Sequence, residues 1–273
     1  MAETVFREYS PPDIPELTSL WVDIFGDSGK LVSAFFRVLP DIGTCFVAEC
    51  RSEIAGMASV LTDLLLKDGA TCRKCAYIYA VASDERFRGA GIGGTLSRMA
   101  ADYGKKHGAE IICTLPADDG LYAMYEKTTG LNNTLTRKKV TVFRGPAQEE
   151  QFPLIPASPS EYNRKREELL SSQPHVSVSD LSIEFLKTLC MENSGDIYVS
   201  ENSCAALYVT GDEIFFPELL CSETEREVMM ALGAAMKNVP SAFCFIPSDD
   251  GERSVAYSGN LVYHNLVWNI TFE

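Results

Sequence analysis

Cys113-Thr-Leu-Pro-Ala-Asp-Asp-Gly120 returns later in the chain as Cys244-Phe-Ile-Pro-Ser-Asp-Asp-Gly251, with five of the eight positions identical. The surroundings return in the same order. A helix-like segment lies upstream of each copy, Gly93 to Lys106 and Glu225 to Lys237, and a strand-like run precedes each helix, Ala76 to Ala82 and Glu213 to Leu220. Ile197-Tyr-Val-Ser-Glu201 likewise resembles Cys45-Phe-Val-Ala-Glu49. One match could be chance, but a match embedded in the same order of elements points to an internal duplication. The chain of 273 residues is long enough for two such units of about 110 to 150 residues, each with its own core.

Hydrophobic spacing gives each unit a mixed α/β character. Thr4 to Tyr9 reads as a strand, and Ile14, Leu17, Trp21 and Phe25 recur at helical spacing. A second helix is expected over Lys30 to Leu39, and a hairpin from Thr44 to Glu49 and Ile54 to Leu66 around Cys50-Arg51-Ser52-Glu53. After the strand at Ala76 to Ala82, Ile92, Leu96, Met99 and Tyr103 share a helical face that closes on Lys105-Lys106-His107-Gly108, cations and a glycine suited to a helix C-terminus. Glu110 to Leu115, Leu121 to Lys127 and Lys138 to Phe143 continue as strand, helix and strand. Gly145 to Glu161 holds four prolines and no apolar period, so the expected division is a first domain over 1–145, a linker over 146–161 and a second domain over 162–273.

The chemistry concentrates in Tyr77 to Gly94, where a strand runs through a short loop into glycines that open an amphipathic helix. Such an arrangement aims free backbone N–H groups and the positive dipole end at one point, which suits a phosphate. Glycine lets that phosphate approach the backbone and can supply positive φ. Gly89, Gly91 and Gly94 also fit a dinucleotide fingerprint. In that fingerprint the strand runs almost directly into the first glycine and an acid follows about 20 residues on. Here Asp84 to Arg88 intervene, and the strand Glu110 to Leu115 has no acid near its tip until Asp118.

Arg88, Gly91 and Gly93 fill the pattern of motif A of the GCN5-related N-acetyltransferases, and the run resembles that motif. Tyr125-Glu126-Lys127-Thr128-Thr129-Gly130-Leu131 is similar to the family's Tyr-Glu-Lys-x-Gly-Phe ending, with one residue more before the glycine and Leu in place of Phe. The resemblance covers about residues 4 to 145. It implies a GNAT fold, an α/β mixed sheet, followed by a second, degenerate GNAT-like domain, a layout that resembles the enhanced intracellular survival group of acetyltransferases. The third domain of that group has no room in 273 residues, so its assembly and its aminoglycoside acceptors are not carried over.

The resemblance also implies a reaction and a site. Acetyl-CoA is the cosubstrate, with Val81, Ala82 and Ser83 pairing with the pantetheine arm. The N–H groups of Arg88, Gly89, Ala90, Gly91, Ile92, Gly93 and Gly94 hold the pyrophosphate. A neutral amine, on a small molecule or a peptide, attacks the thioester directly, and Tyr125 protonates the departing thiolate, with Tyr122 its competitor three residues earlier. Asp118 and Asp119 follow a strand on the expected side, but the repeat at Asp249-Asp250 favours capping or a turn over catalysis. Glu85 and the carboxylate of Glu273 are further candidate bases, and none is singled out. The alternative is a non-catalytic acyl-CoA-binding or regulatory module that keeps the phosphate cradle. The second half, where Leu219 to Arg226 carries acids and no glycine, should bind no coenzyme.

A formal charge of −14 repels nucleic-acid phosphates and suits a cationic acceptor. No apolar run approaches the roughly 18 residues needed to span a bilayer, and Met1 to Val5 lacks a signal-peptide pattern. The expectation is a cytoplasmic protein that engages neither nucleic acid nor membrane. Nine cysteines set mostly in apolar runs read as buried thiols rather than disulfides, and the lone pair Cys72/Cys75 gives no metal site.

Overall fold

The computed structural model describes residues 4–144, 154–259, 263, 266–268 and 271–272, and the chain divides into two compact units. The units do not follow the sequence halves. The first takes residues 1–67, 71–135 and 253–263; the second takes 68–70, 136–252 and 264–273.

The first unit begins with β1 (Thr4–Glu8), α1 (Ile14–Phe25), α2 (Gly29–Ile42), β2 (Gly43–Cys50) and β3 (Glu53–Asp68). Then come β4 (Thr71–Ser83), α3 (Ile92–Lys106), β5 (Ile111–Thr114) and α4 (Asp119–Thr129). Local chemistry sets most of these limits. Ser28 caps α2 by accepting from the Leu31 N–H at 3.1 Å. The hairpin between β2 and β3 turns on Arg51 and Ser52, both at positive φ (55° and 63°), as a two-residue turn with the handedness of the strands requires. α3 stops as its sequence predicts, with Lys105 and Lys106 in the last turn and Gly108 at φ 88°.

In the remainder, β6 (Asn133–Phe143), β7 (Ile155–Pro156), α5 (Pro159–Leu170), β8 (His175–Ser177) and α6 (Asp180–Glu192) come first. They are followed by β9 (Asp196–Val199), β10 (Cys204–Thr210), β11 (Glu213–Leu220), α7 (Glu223–Met236), β12 (Ser241–Pro247) and β13 (Glu252–Tyr257). The expected linker over 146–161 lies only partly within the described residues. Its end is structured, as β7 and the start of α5, which the capping box of Ser158 and Glu161 opens.

Each unit's sheet has the same strand order. In the first it runs β1-β2-β3-β4-β5-β13; in the second, β7-β9-β10-β11-β12-β6. The central pairs β4·β5 and β11·β12 are parallel, and β13 and β6 lie antiparallel on β5 and β12 respectively. The duplication inferred from eight residues therefore extends to whole-sheet topology. Each sheet's last strand comes from the opposite half of the sequence. β6, read as the closing strand of the first domain, closes the second sheet, and β13 closes the first. The octapeptides diverge at their ends as well. Asp118-Asp119-Gly120 opens α4, whereas Ser248–Gly251 turns directly into β13.

The core of the first unit packs Ile92, Leu96, Ala100 and Ala101 of α3 against Ala58, Ala76, Ile78 and Ile112 of the sheet. Gly104 makes this approach possible, since a Cβ there would sit 2.4 Å from the Cβ of Ala76.

Candidate functional site

β4 and β5 pair from Cys75↔Ile111 to Tyr77↔Cys113 and go no further. The Thr114 hydroxyl donates to the Ile78 carbonyl at 2.8 Å, and two residues later Ala80 takes φ 50°, a left-handed conformation that interrupts the pleat. Val81, Ala82 and Ser83 thus follow a break in the strand, with the β5-facing edge released, while the Asp84 N–H still donates to the Ala55 carbonyl of β3 at 3.0 Å. A strand edge without its neighbour is what an extended amide chain needs. Nothing in the residue types of 77–83 announced the bend at Ala80.

The segment that separates this strand from the glycines is a structured turn. Asp84 caps the 3-10 turn Glu85–Phe87 by accepting from the Arg86 N–H at 2.8 Å and pairs with the Arg86 guanidinium at 2.7 Å. That partner holds the Asp84 carboxyl below its ordinary range. Arg88 lies at the surface on Glu85 at 3.1 Å, so Glu85, a candidate base by position, is ion-paired. The turn uses the N–H groups of Arg88 and Ala90, which donate to the carbonyls of Glu85 and Phe87 at 3.3 and 3.4 Å.

Gly89 and Gly91 both have positive φ, 81° and 75°, and Gly91 occupies the N-cap of α3 with no side chain capping the helix. The first helical bond runs from Thr95 N–H to the Gly91 carbonyl at 3.1 Å. The N–H groups of Ile92, Gly93 and Gly94 consequently have no acceptor within the helix and point out of its positive end. Gly89, Ala90 and Gly91 are exposed, and a Cβ at either glycine would meet nothing within 4 Å, so the opening is free on the outside. The glycines serve both backbone conformation and access.

Tyr125 sits on α4, whose start is fixed by Asp118 accepting from the N–H groups of Gly120 and Leu121 at 2.8 and 3.2 Å. The ring is 4% exposed within the core between α3 and the sheet. Burial raises its phenol above the ordinary tyrosine value, an effect the nearby hydroxyls of Thr114 and Ser97 partly offset. Ser97 lies one turn beyond Gly93 on α3 and is fully buried, so the helix that begins at the glycines also carries a hydroxyl to the tyrosine. Spacing on a helix could have revealed Ser97; Thr114 needed the register of β5. Tyr122 is engaged differently. Its hydroxyl donates to the Ser254 carbonyl of β13 at 2.7 Å, and the Arg253 guanidinium covers its ring at 4.1 Å.

The other sequence candidates have structural partners. Asp118 is the N-cap of α4, and Asp119 pairs with Arg253 at 2.7 Å. His107 contacts the Tyr103 carbonyl at 2.8 Å through Nδ1. Glu273 lies outside the described residues. Of the four aromatic residues on α1 and α2, Trp21, Phe35 and Phe36 are buried and Phe25 is exposed, at 44%. Seven of the nine cysteines are buried and all are unbridged; Cys72 is exposed while Cys75 is buried, so the pair does not share an environment. Among the described residues no group of three or more His, Cys, Asp or Glu could hold a metal ion, and no helix is long and apolar enough to cross a membrane.

Residues 4–131, which contain the parted strands, the uncapped helix and Tyr125, match the profile of the acetyltransferase (GNAT) family. The chain carries a GNAT acetyltransferase domain. The match assigns residues 4–131 to that family of acyltransferases. Solved structures extend the likeness in fold to nearly the whole chain. A GCN5-related N-acetyltransferase from Kribbella flavida superposes with a TM-score of 0.64 at 15% identity, over 94% of this chain and 70% of its own. A candidate acetyltransferase from Pyrococcus horikoshii gives 0.65 at 14%, over 98% and 95%. Eis1 from Mycobacterium abscessus gives 0.60 at 11%, over 94% and 73%. No curated protein sequence matches this one. At these identities the likeness speaks for the GNAT fold followed by a second domain, and it leaves the site of this acetyltransferase to be argued from its own residues.

Proposed function

We propose that the first unit binds acetyl-CoA and transfers its acetyl group to a primary amine, with Tyr125 as the general acid. The observation that carries this is the α3 N-terminus, uncapped and glycine-lined, directly beyond a strand whose edge is released at Ala80. The N–H groups of Ile92, Gly93 and Gly94 hold the pyrophosphate, supported by the loop Arg88-Gly89-Ala90-Gly91. The backbone of Val81, Ala82 and Ser83 pairs with the pantetheine amides. Bound acetyl-CoA supplies the thioester carbon that the neutral amine attacks.

The residues of the chain then have three tasks. Strand N–H groups near Val81 donate to the carbonyl oxygen where negative charge gathers, and the fixed strand needs no reorganisation to do so. The backbone cradle orients the thioester toward the acceptor. Tyr125 delivers its phenolic proton to the sulfur as the carbon–sulfur bond breaks, and the proton that the amine nitrogen sheds passes to water, from which the phenol is restored. A raised pKa keeps that proton available at neutral pH. The acidic chain favours a cationic amine as the species captured from solution, on a small molecule or a peptide.

The second unit has no counterpart of the glycine cradle. β11 passes directly into α7, and Ser222 and Glu225 close a capping box at the helix start, with the Ser222 hydroxyl 2.6 Å from Glu225 Oε2. Glu223 and Glu225 place negative charge where pyrophosphate would need donors.

Calorimetric titration with acetyl-CoA, followed by an amine panel, tests the reading. One acetyl-CoA should bind per chain, and Gly91→Val should weaken binding strongly, because it strains φ 75° and puts a branched side chain at the mouth of the cradle. Unchanged affinity in a folded Gly91→Val protein, or two coenzymes per chain, would contradict the site. Tight coenzyme binding with no turnover of any amine would instead favour a non-catalytic acyl-CoA-binding module.

A further inference from the structure

β11 and β12 pair from Glu213↔Ser241 to Phe216↔Cys244 and then part at Pro217, which has no N–H to donate. Both strands continue past the parting, held only on their outer edges. Glu218, Leu219 and Leu220 pair with β10, while Phe245, Ile246 and Pro247 pair with β6. A cavity of about 490 Å³ lies at this parting, within the second unit, in the range of small-ligand sites. Leu169 of α5, Leu220 and Ile246 give it apolar walls, Cys221 lies beside them, and Glu223 and Arg226 supply charge. By the repeat, Cys244 corresponds to Cys113, so this cavity occupies the place in the second sheet that the parted β4 and β5 occupy in the first.

The two partings share their strand edges and differ at the helix that follows. In the second unit the start of α7 is closed by its own serine and glutamate and carries two acids in its first turn. Released strand edges attract an extended chain of amides, whose C=O and N–H groups complete the pairing. The self-capped acidic helix start repels a phosphate on that chain.

We propose that this cavity is a binding site for an extended amide chain without phosphate, either a short peptide segment or a pantetheine-type arm. The chain lies between the inner edges of β11 and β12 with its apolar parts on Leu169, Leu220 and Ile246. The site is separate from the coenzyme cradle and stands whether or not the first unit proves catalytic.

Cys221 provides a reporter within the full-length protein, being half-buried in the cavity wall, and the exposed Cys72 of the first unit provides a control. Maleimide modification of each cysteine is followed by peptide mass spectrometry with S-methyl-D-pantetheine, N-acetyl-tetraalanine amide or S-methyl-CoA present, thioethers that leave the maleimide intact. At a probe concentration about ten times its Kd, modification of Cys221 should slow about tenfold, because only the free fraction reacts. Cys72 should be unaffected. Protection by the peptide identifies a peptide segment, and protection by pantetheine identifies the pantetheine-type arm. Calorimetry of Cys221→Trp, which fills the cavity, should show that probe's binding lost. Failure of both amides to protect Cys221 would overturn the site, as would protection by CoA equal to that by pantetheine, or a Cys221→Trp protein that still binds the probe.

Discussion

Two tyrosines three residues apart on α4 show how closely a role depends on what a hydroxyl meets. Tyr122 has its proton committed to the Ser254 carbonyl, whereas Tyr125 lies by Ser97 and Thr114 next to the parted strands. Tyr125→Phe keeps the ring and should leave the affinity for acetyl-CoA nearly unchanged while kcat falls about 100-fold, measured under conditions where chemistry limits the rate. Full kcat in that variant would pass the role to another donor. Because burial raises the Tyr125 pKa, the high-pH limb of kcat it controls should lie above the ordinary tyrosine value of about 10. Another residue-scale contrast separates the two units. Trp21 meets Tyr79 with ring centroids 5.7 Å apart, while Arg166, at the same eighth position of its helix, bonds Glu218 on β11 through Nε at 3.0 Å. Both members of that ion pair are fully buried. Glu218→Ala leaves the buried Arg166 guanidinium with Glu167 alone, at 3.2 Å, and should destabilise the fold by about 3 kcal/mol in urea denaturation. Loss under 1 kcal/mol would mean that water reaches the guanidinium on the order of freely.

At the scale of elements, β1, the turn before α1 and β2 are joined by one cation. Arg7 bonds both oxygens of Asp13, at 2.7 and 2.9 Å, and reaches Glu49 at 3.1 Å. This bidentate contact lowers the Asp13 pKa to about 2. The unfolded value is about 3.9, so the native state binds its proton less readily than the unfolded chain does. The stability this contributes is complete above about pH 5 and is lost as pH falls through about 2. Asp13→Asn should therefore be less stable than the parent at pH 7 and nearly equal to it at pH 2, as chemical denaturation at the two values would show. An equal difference at both would remove the carboxylate from the account. The helices were the most legible elements: α1 runs over the residues its period marked, and α3 opens and closes where its glycines and lysines stand. The strands of the first half were found, but the bend at Ala80 was not, because alanine carries no preference for positive φ.

For the whole molecule the decisive feature is the sharing of last strands. β5 has β13 on its edge, and the link is reinforced by the Ile112 N–H donating to the Ser258 hydroxyl at 2.9 Å and by Tyr122 on Ser254. A chain ended at Gly251 would lose that strand from the first unit, leaving β5 an open edge beside the proposed coenzyme site. Such a chain should lose both its cooperative thermal transition and acetyl-CoA binding, followed by circular dichroism and calorimetry. Retention of binding with an unchanged transition would show that β13 is dispensable.

The sequence alone determined the repeated α/β unit, the glycine-opened helix start and the tyrosine after the fifth strand, because these rest on local spacing and on residues such as glycine with few substitutes. Tertiary structure decided the rest. Which sheet receives β6 and β13 is a choice between edges that offer the same backbone hydrogen bonds. The same holds for Trp21, Phe35 and Phe36, whose apolar character was plain from sequence but whose burial depended on the strands they met. Local chemistry fixes what an element is; long-range packing fixes which neighbour completes it.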